Sequence, residues 1–196
     1  MSQLDVLVSI ALGIGLAAAV GFRVFLPLLV VSAAGYTGYL PLGDSFSWLA
    51  TLPALVMLSV AAVLEIAAYY IPGVDNLLDA VATPAALVAG TVVAAAVMAD
   101  LPPIVKWTTA VIAGGGAAGI TQAVTGLLRA KSTVTTGGLG NAVIATGELG
   151  GSLLTSLLAL FMPLVALAFV VLFCWLSVKV IRRLFRRAPK PADTVG

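Results

Sequence analysis

The chain has 196 residues, of which 61% are hydrophobic and only 9% are charged, and its formal net charge at pH 7 is +2. A soluble domain carries about 25% charged residues, so the composition excludes a chain surrounded by water and predicts one covered largely by lipid. The chain has no His and one Cys. This excludes an internal disulfide and a Ser-His-Asp or Cys-His triad, and argues against a His/Cys site for zinc or haem.

Charge-free windows mark the membrane segments, because a transmembrane helix needs about 20 mostly apolar residues. Six such windows are Val6–Phe22, Val24–Gly43, Ser45–Leu64, Ala80–Ala99, Trp107–Leu128 and Leu149–Val178. A shorter window, Ser132–Gly147, joins the last one across Glu148. The sequence therefore predicts an all-α polytopic membrane protein with six or seven transmembrane or re-entrant helices. Residues 1–180 are interpreted as a single integral membrane domain.

Basic residues near the C-terminus predict the orientation of the chain. They are Lys179, Arg182, Arg183, Arg186, Arg187 and Lys190. By the positive-inside rule they place the C-terminus in the cytoplasm, and residues 181–196 are interpreted as a basic cytoplasmic tail. Arg129 and Lys131, assigned to a loop, agree if that loop is also cytoplasmic. The side of the N-terminus stays open, since a broken element over residues 6–40 would reverse it.

A charged residue close to a glycine interrupts the apolar first half of the chain. Gly21 and Phe22 precede Arg23, and Pro27 follows. One interpretation is a helix broken inside the membrane, which requires protein or a water-filled cavity to satisfy the freed backbone groups. Arg23 is then buried and paired with Glu148. The other interpretation is a short cytoplasmic turn between two ordinary helices.

Three acidic residues lie in or shortly before the segment IPGVDNLLD and are called the acid cluster: Glu65, Asp75 and Asp79. Asp75 and Asp79 are spaced i, i+4 and share one helix face. In one interpretation they are helix N-terminal acids, which the helix dipole stabilises. In the other, the three carboxylates form a site for a hard metal cation, although the spacing identifies no particular metal.

The stretch from Ser132 to Ser156 is rich in Gly and Thr and contains Asn141 and Glu148. An ionisable residue within a membrane segment is rare and is a candidate functional residue by default. With Arg23 and Gln122, these two residues form a predicted ligand- or ion-binding set, called the polar site. The alternative is a structural hydrogen bond from a protonated Glu148. If the site is functional, Glu148→Gln is expected to keep near-native thermal stability and to lose binding or transport.

Two glycine-rich segments resemble each other. Gly13–Ala18 is similar to Gly114–Gly119, and each is followed by a polar interruption and later by a Thr/Gly turn. Inverted repeats with broken helices at matching positions are typical of secondary transporters with a midplane site. The sequence thus predicts an inverted repeat, with close helix packing as the alternative explanation of the glycines.

Several segments, taken together, resemble one bacterial membrane family. They are GFRVFLPLLV, LEIAAYYIPGVDNLLD, ATPAAL, AGGGAAG, TTGGLGN and the segment around Glu148. This pattern is similar to the family called domain of unknown function 4126, from Leu4 to about Leu176. Many members carry Glu-Asp where this chain has Glu148-Leu149. The resemblance implies a multi-pass protein of the cell inner membrane and implies no established activity.

Three functions from different classes follow from these features. The favoured one is a transporter or channel for a small solute or ion that uses the polar site. The second is a scaffold or assembly protein without solute chemistry. The third is an enzyme acting on lipid head groups, with the acid cluster holding a divalent cation at the cytoplasmic face; an enzyme is the less favoured class. The predicted partner is the lipid bilayer, a homo-oligomer stays open, and neither a cofactor nor a nucleic acid is predicted.

Overall fold

A computed structural model describes residues 2–71 and 73–185, and the described chain is helical, without a strand in those ranges. In chain order the elements are α1 (Gln3–Val20), α2 (Phe25–Tyr36), a 3₁₀ helix (Asp44–Ala50), α3 (Leu52–Ala68), α4 (Val74–Val97), α5 (Pro103–Thr109), a π-helix (Ala110–Gly115), α6 (Gly116–Thr136), α7 (Asn141–Phe161) and α8 (Pro163–Phe185). The predicted all-α class is confirmed.

Successive helices run back and forth and form a bundle with two distinct ends. At one end, Arg23 after α1 lies beside Glu148 near the start of α7. At the other end, the rings of Tyr39 and Phe161 have centroids 5.8 Å apart. We call the first the charged end and the second the aromatic end. The turns that follow α1, α3 and α6 therefore all lie at the charged end.

Helix α1 is the centre of the bundle and packs against α4, α6, α7 and α8. Its small residues permit this, because a Cβ added at Gly15 would lie 2.8 Å from the Cβ of Ala159. A Cβ added at Gly13 would lie 2.7 Å from the Cε of Met98. Small residues at such contacts let helices approach closely where lipid supplies no hydrophobic driving force.

Four of the described helices are long and apolar enough to cross a membrane. They are Gln3–Val20, Leu77–Val97, the continuous run Pro103–Thr136, and Asn141–Phe161. The pair Asp44–Ala50 and Leu52–Ala68, bent by 67°, makes a fifth if it counts as one span. Phe25–Tyr36 and Pro163–Lys179 are apolar but shorter. The membrane class is supported, whereas the predicted count of six or seven spans is not confirmed.

The predicted boundaries fail where charges and helix ends do not coincide. Arg129 and Lys131 lie inside α6, not in a loop. The window Leu149–Val178 is divided at Met162, because Pro163 starts a new helix and Pro is well tolerated only in a first turn. Helix α8 continues to Phe185, past the predicted start of the tail at residue 181, and residues 186–196 lie outside the described ranges, so the cytoplasmic tail stays a prediction.

The glycine-rich stretch after α6 is a turn, as its sequence indicates. Helix α6 ends at Thr136, and Gly137 and Gly138 follow with φ of 63° and 90°. Residues with a Cβ rarely adopt such angles, so these glycines allow α7 to start at once in the opposite direction. The similar segments Gly13–Ala18 and Gly114–Gly119 both contain glycines packed against α4. This agrees with a packing role, and the inverted repeat stays a prediction.

Candidate polar site within the helix bundle

Arg23 lies in the turn between α1 and α2 and is only 1% exposed. Its Nη2 donates a hydrogen bond to the carbonyl oxygen of Ala145 at 2.9 Å and lies 3.5 Å from Oε2 of Glu148. The chain does turn here, but the turn faces the protein interior. The structure therefore places Arg23 beside Glu148, as the interpretation with a buried Arg23 predicts.

Glu148 occupies the buried face of α7 and is 3% exposed. It lies seven residues after Asn141, the first residue of the helix, which corresponds to about 10 Å along the axis. Ala145 and Ser152 share this face, since residues three or four apart are neighbours on a helix. Ser152 fixes the face against α1, because its hydroxyl donates to the carbonyl oxygen of Ala19 at 3.0 Å.

Arg129 is the direct partner of Glu148, and the sequence interpretation missed it. Its Nε donates to Oε1 of Glu148 at 3.1 Å, its Nη2 contacts Oε2, and its Nη1 lies 3.6 Å from Oδ1 of Asp79. Arg129 precedes the last residue of α6, Thr136, by seven positions. Since α6 and α7 form an antiparallel hairpin, Arg129 and Glu148 lie at the same level of the bundle.

Tyr69 lies in the turn after α3 and joins the two arginines. The guanidinium carbon of Arg23 lies 3.9 Å from the ring centroid, and that of Arg129 lies 4.0 Å from it. Cations are attracted to the face of an aromatic ring. The phenol donates to Oδ1 of Asp79 at 3.4 Å. Burial, and then the nearby Asp79 carboxylate, raise the pKa of Tyr69 to about 12, so the phenol keeps its proton.

Glu65, on α3, caps the N-terminus of α2. Its Oε1 accepts from the backbone N–H of Val24 at 2.8 Å, and its Oε2 accepts from that of Phe25 at 3.0 Å. The first N–H groups of a helix have no partner within the helix, and no side chain at the N-cap of α2 supplies one. A carboxylate there also interacts favourably with the helix dipole. Glu65 thus fixes the turn that carries Arg23.

Asn141 and Asp75 form a second polar group nearer to the end of the bundle. The side-chain amide of Asn141 donates to Oδ2 of Asp75 and, at 3.0 Å, to the hydroxyl of Thr133. Oδ1 of Asp75 accepts from the backbone N–H of Gly73 at 2.9 Å. Asn141 therefore holds the start of α7 against the start of α4, instead of contacting Glu148.

Gln122 is buried on the same face of α6 as Arg129 but lies seven residues earlier, about 10 Å away along the helix. Of the polar site, the structure thus brings Arg23 and Glu148 into contact. Asn141 and Gln122 flank that pair on opposite sides along the bundle axis.

The acid cluster does not form a metal site in the described residues. No group of three or more His, Cys, Asp or Glu there is arranged to hold an ion. Glu65 accepts from backbone N–H groups, Asp75 from Asn141 and Gly73, and Asp79 from Tyr69. The metal interpretation therefore has no geometric support, because the three carboxylates are directed to different partners.

Five ionisable side chains, called the charge cluster, occupy this interior: Arg23, Glu65, Asp79, Arg129 and Glu148. If all are ionised, three negative charges face two positive ones, and the N-terminus of α2 offsets part of the charge of Glu65. Nε and Nη1 of Arg23 are buried and have no hydrogen-bond partner among the described residues. Such buried donors cost about 1–3 kcal/mol each when unsatisfied. The cluster therefore has donor capacity that a bound acceptor could use.

Comparison with protein families identifies the chain. The model of the family described as Domain of unknown function (DUF4126) matches residues 10–183. The chain belongs to this family. No curated protein matches it, and no solved structure matches it. The match to DUF4126 covers every residue of the charge cluster. Because the family description states no activity, the function of this DUF4126 protein has to be argued from its own side chains.

Proposed function

We propose that this protein is a transporter or channel for a small solute or ion, with its site in the charge cluster. The observation that carries the proposal is the guanidinium of Arg23, which is buried among membrane-type helices and uses only one of its three nitrogens for hydrogen bonds. Charged groups inside a membrane protein are expensive, and they mark ion or substrate pathways. A buried guanidinium with unused hydrogen-bond donors is suited to a ligand that binds and dissociates.

The distribution of polar side chains along the bundle also supports transport. Asn141 lies about 10 Å from Glu148 towards the charged end, and Gln122 lies about 10 Å from Arg129 towards the aromatic end. Buried polar groups therefore extend over about 20 Å of a hydrocarbon core that is about 30 Å thick. In this proposal Arg23 and Glu148 contact the solute, and Arg129 holds Glu148 in position.

The two other functions have less support. A purely structural network is expected to satisfy its buried donors, whereas Nε and Nη1 of Arg23 and Nη1 of Arg129 have no hydrogen-bond acceptor in the described chain. An enzyme acting on lipid head groups through a divalent cation needs a ligand set that the described acidic residues do not form. The proposal places the protein in the cell inner membrane with its C-terminus in the cytoplasm, which rests on the basic residues after Val178.

Arg23→Lys tests the proposal most directly. Lysine keeps the positive charge opposite Glu148 but lacks the planar set of guanidinium donors. The matched control is Arg182→Lys, because Arg182 is exposed. Purified protein in liposomes is assayed for flux of H⁺, Na⁺, K⁺, chloride, phosphate, and small amino and carboxylic acids. We expect flux of at least one probe above protein-free vesicles, a loss of at least tenfold in Arg23→Lys, and native flux in Arg182→Lys.

Two results would refute the proposal. One is wild-type protein that moves none of these probes faster than protein-free vesicles do. The other is Arg23→Lys protein that matches the wild type in flux while its folded fraction is equal. Each flux is therefore divided by the amount of folded protein recovered from the vesicles.

A further inference from the structure

The two buried guanidinium groups of the charge cluster have three nitrogens without a hydrogen-bond acceptor in the described chain. They are Nε and Nη1 of Arg23 and Nη1 of Arg129. Both groups lie against the ring of Tyr69, with their carbons 3.9 and 4.0 Å from its centroid, so the unused donors of the two arginines are neighbours. A guanidinium has N–H donors and no acceptor. A ligand that completes this site must therefore supply acceptor atoms.

A small, negatively charged acceptor suits Arg23 best. Hydrogen bonds between ionised groups are about twice as strong as those between neutral groups, and a guanidinium keeps its charge in proteins. Nη2 of Arg23 already donates to the carbonyl oxygen of Ala145 and lies 3.5 Å from Oε2 of Glu148, which leaves Nε and Nη1 for a ligand. The side chain of Arg23 is 0% exposed, so only a small anion can reach these donors within the packed helices.

The charge of the cluster restricts the anion further. With every group ionised, three carboxylates face two guanidinium groups, and Asp75 adds another buried acid in the first turn of α4. An added anion increases this excess of negative charge, and a nearby like charge favours the protonated form of a carboxylate. We therefore expect the anion to be monovalent and to bind together with one proton.

Asp79 is the carboxylate best placed to take that proton. Its contacts with Tyr69 and Arg129 both use Oδ1, so a proton on Oδ2 leaves both of them intact. Its side chain is 17% exposed, against 3% for that of Glu148. Glu148 contacts guanidinium groups through both oxygens, and Glu65 accepts backbone N–H groups with both of its own. Protonation of either would break an existing contact.

The charged and titratable groups around Asp79 come from several elements. They are Tyr69 after α3, Arg129 on α6, Arg23 before α2, Asp75 on α4, and the remaining cluster residues Glu65 on α3 and Glu148 on α7. The guanidinium groups keep their charge, and the phenol keeps its proton, so the carboxylates are the groups that can exchange a proton here.

We propose that the charge cluster binds a small monovalent anion at Arg23 together with one proton at Asp79. The inference rests on the proposed function, because it takes the charge cluster as the solute site and names the class of the solute. The proton comes from solution and bonds to Oδ2 of Asp79, so anion and proton together leave the net charge of the site unchanged. A zwitterion fits less well, since an ammonium has three donors and needs several acceptors, whereas a proton needs one oxygen.

Isothermal titration calorimetry of the full-length protein in detergent tests the inference, with formate, chloride and nitrate as probes. Titrations in two buffers of different ionisation enthalpy count the protons taken up. We expect at least one probe to bind with uptake of about one proton per anion while Asp79 is ionised in the free protein, so that Kd rises up to about tenfold for each unit rise in pH. Formamide, the neutral analogue of formate, should bind at least tenfold more weakly than formate.

Three variants assign the two parts of the site. Arg23→Lys should weaken anion binding at least tenfold, because lysine lacks the planar guanidinium donors, whereas Arg182→Lys, at an exposed position, should bind as the wild type does. Asp79→Asn cannot accept the proton, so any anion that it binds should enter without proton uptake. Misfolded protein lowers the number of sites per chain, but it changes neither the Kd of the folded fraction nor the protons counted per bound anion.

Several results would overturn the inference: no binding of any probe, formamide binding as tightly as formate, anion binding without proton uptake, or unchanged proton uptake in Asp79→Asn. Glycine binding more tightly than formate, without a proton, would establish the zwitterion instead. The two proposals also fail separately. Anion binding without flux in liposomes refutes transport and keeps the anion site, whereas Na⁺ or K⁺ flux that depends on Arg23, without anion binding, keeps transport and refutes the anion site.

Discussion

Replacing Glu148 by Gln should destabilise the protein, because Glu148 is the counter-ion of two buried guanidinium groups. Its carboxylate lies 3.5 Å from Nη2 of Arg23 and accepts from Nε of Arg129 at 3.1 Å. Breaking a buried ion pair by removing one partner costs about 3–5 kcal/mol. A hydrogen bond between membrane helices contributes only about 0.6 kcal/mol on average. Gln retains an acceptor oxygen, so the substitution removes the charge but keeps a hydrogen-bond acceptor. We therefore expect the free energy of unfolding to fall by about 3 kcal/mol, and we attribute that fall to the lost charge.

A double-mutant cycle assigns that loss to the Arg129–Glu148 pair. The free energy of unfolding is measured in detergent for Arg129→Gln, for Glu148→Gln and for the double variant. Residues in contact show interaction energies of about 0.5–3 kcal/mol, and distant ones add within about 0.3–0.5 kcal/mol. We expect a coupling energy of at least about 1 kcal/mol. The reason is that each single variant leaves one charge of the Arg129–Glu148 pair without its partner, whereas the double variant removes both. Pairing Arg129→Gln with Asp5→Asn is the control, because Asp5 is exposed in the first turn of α1.

Additive effects of Arg129→Gln and Glu148→Gln would refute the ion pair, and so would a cost of Glu148→Gln below about 1 kcal/mol, the range of a single hydrogen bond. The contacts of Glu148 lead to a different prediction from the one drawn from the sequence. Treated as a binding residue alone, Glu148 was expected to tolerate the amide with near-native thermal stability. With two arginines depending on it, the same substitution should affect stability as well as transport.

Two further predictions concern the start of α2 and the orientation of the chain. Glu65→Ala should lower the free energy of unfolding by about 2 kcal/mol or more, because the N–H groups of Val24 and Phe25 both lose their acceptor. The control is Asp44→Ala, which removes an exposed carboxylate. Equal losses of stability in the two variants would contradict this role of Glu65. A reporter active only in the periplasm, fused after Gly196, should stay silent because of the basic C-terminal residues, and strong activity would reverse the orientation.

The sequence was sufficient to identify Glu148 but not its partner Arg129. A lone carboxylate in an apolar run is conspicuous, whereas Arg129 stands two residues from Lys131 and was assigned with it to a loop. The useful signal was spacing: Thr125, Arg129 and Ser132 are three or four residues apart and lie on one buried face of α6. Lys131 lies on the exposed side. Helical periodicity therefore separates a buried cation from an exposed one where charge alone does not.

The role of Glu65 shows a second limit of sequence reasoning. No local pattern reveals that a carboxylate at the end of α3 accepts from the first turn of α2, because the two are about 40 residues apart in the chain. The indirect signal was the absence of Ser, Thr, Asp or Asn at the N-cap of α2, where Val24 stands. Donors at a helix start without a local cap need an acceptor from elsewhere when water is absent.

The predicted number of spans is not confirmed, because the prediction took charge-free length as helix length. Helix α2 ends at Tyr36, and Gly38 follows with φ of 74°, so the apolar window continues beyond the helix. The opposite error occurs in α6, where a charge was taken as the end of the apolar helix although the helix continues beyond Arg129 to Thr136. Charges mark helix ends only where they face solvent or lipid head groups. In this bundle one of them faces a carboxylate on the next helix.

The position of the charge cluster towards the end of the bundle that holds three chain turns has a physical reason. Water is scarce inside a membrane bundle, so buried charges need partners from the protein itself. Helix ends and turns supply such partners: the start of α2 supplies two N–H groups to Glu65, and the α3–α4 turn supplies Tyr69. Arg23 donates to the carbonyl oxygen of Ala145 and lies beside the carboxylate of Glu148 and the ring of Tyr69, whereas its Nε and Nη1 have no hydrogen-bond acceptor in the described chain. In the proposed function these two donors bind the solute, which is why Arg23→Lys, more than the loss of any carboxylate, decides between a transport site and a structural one.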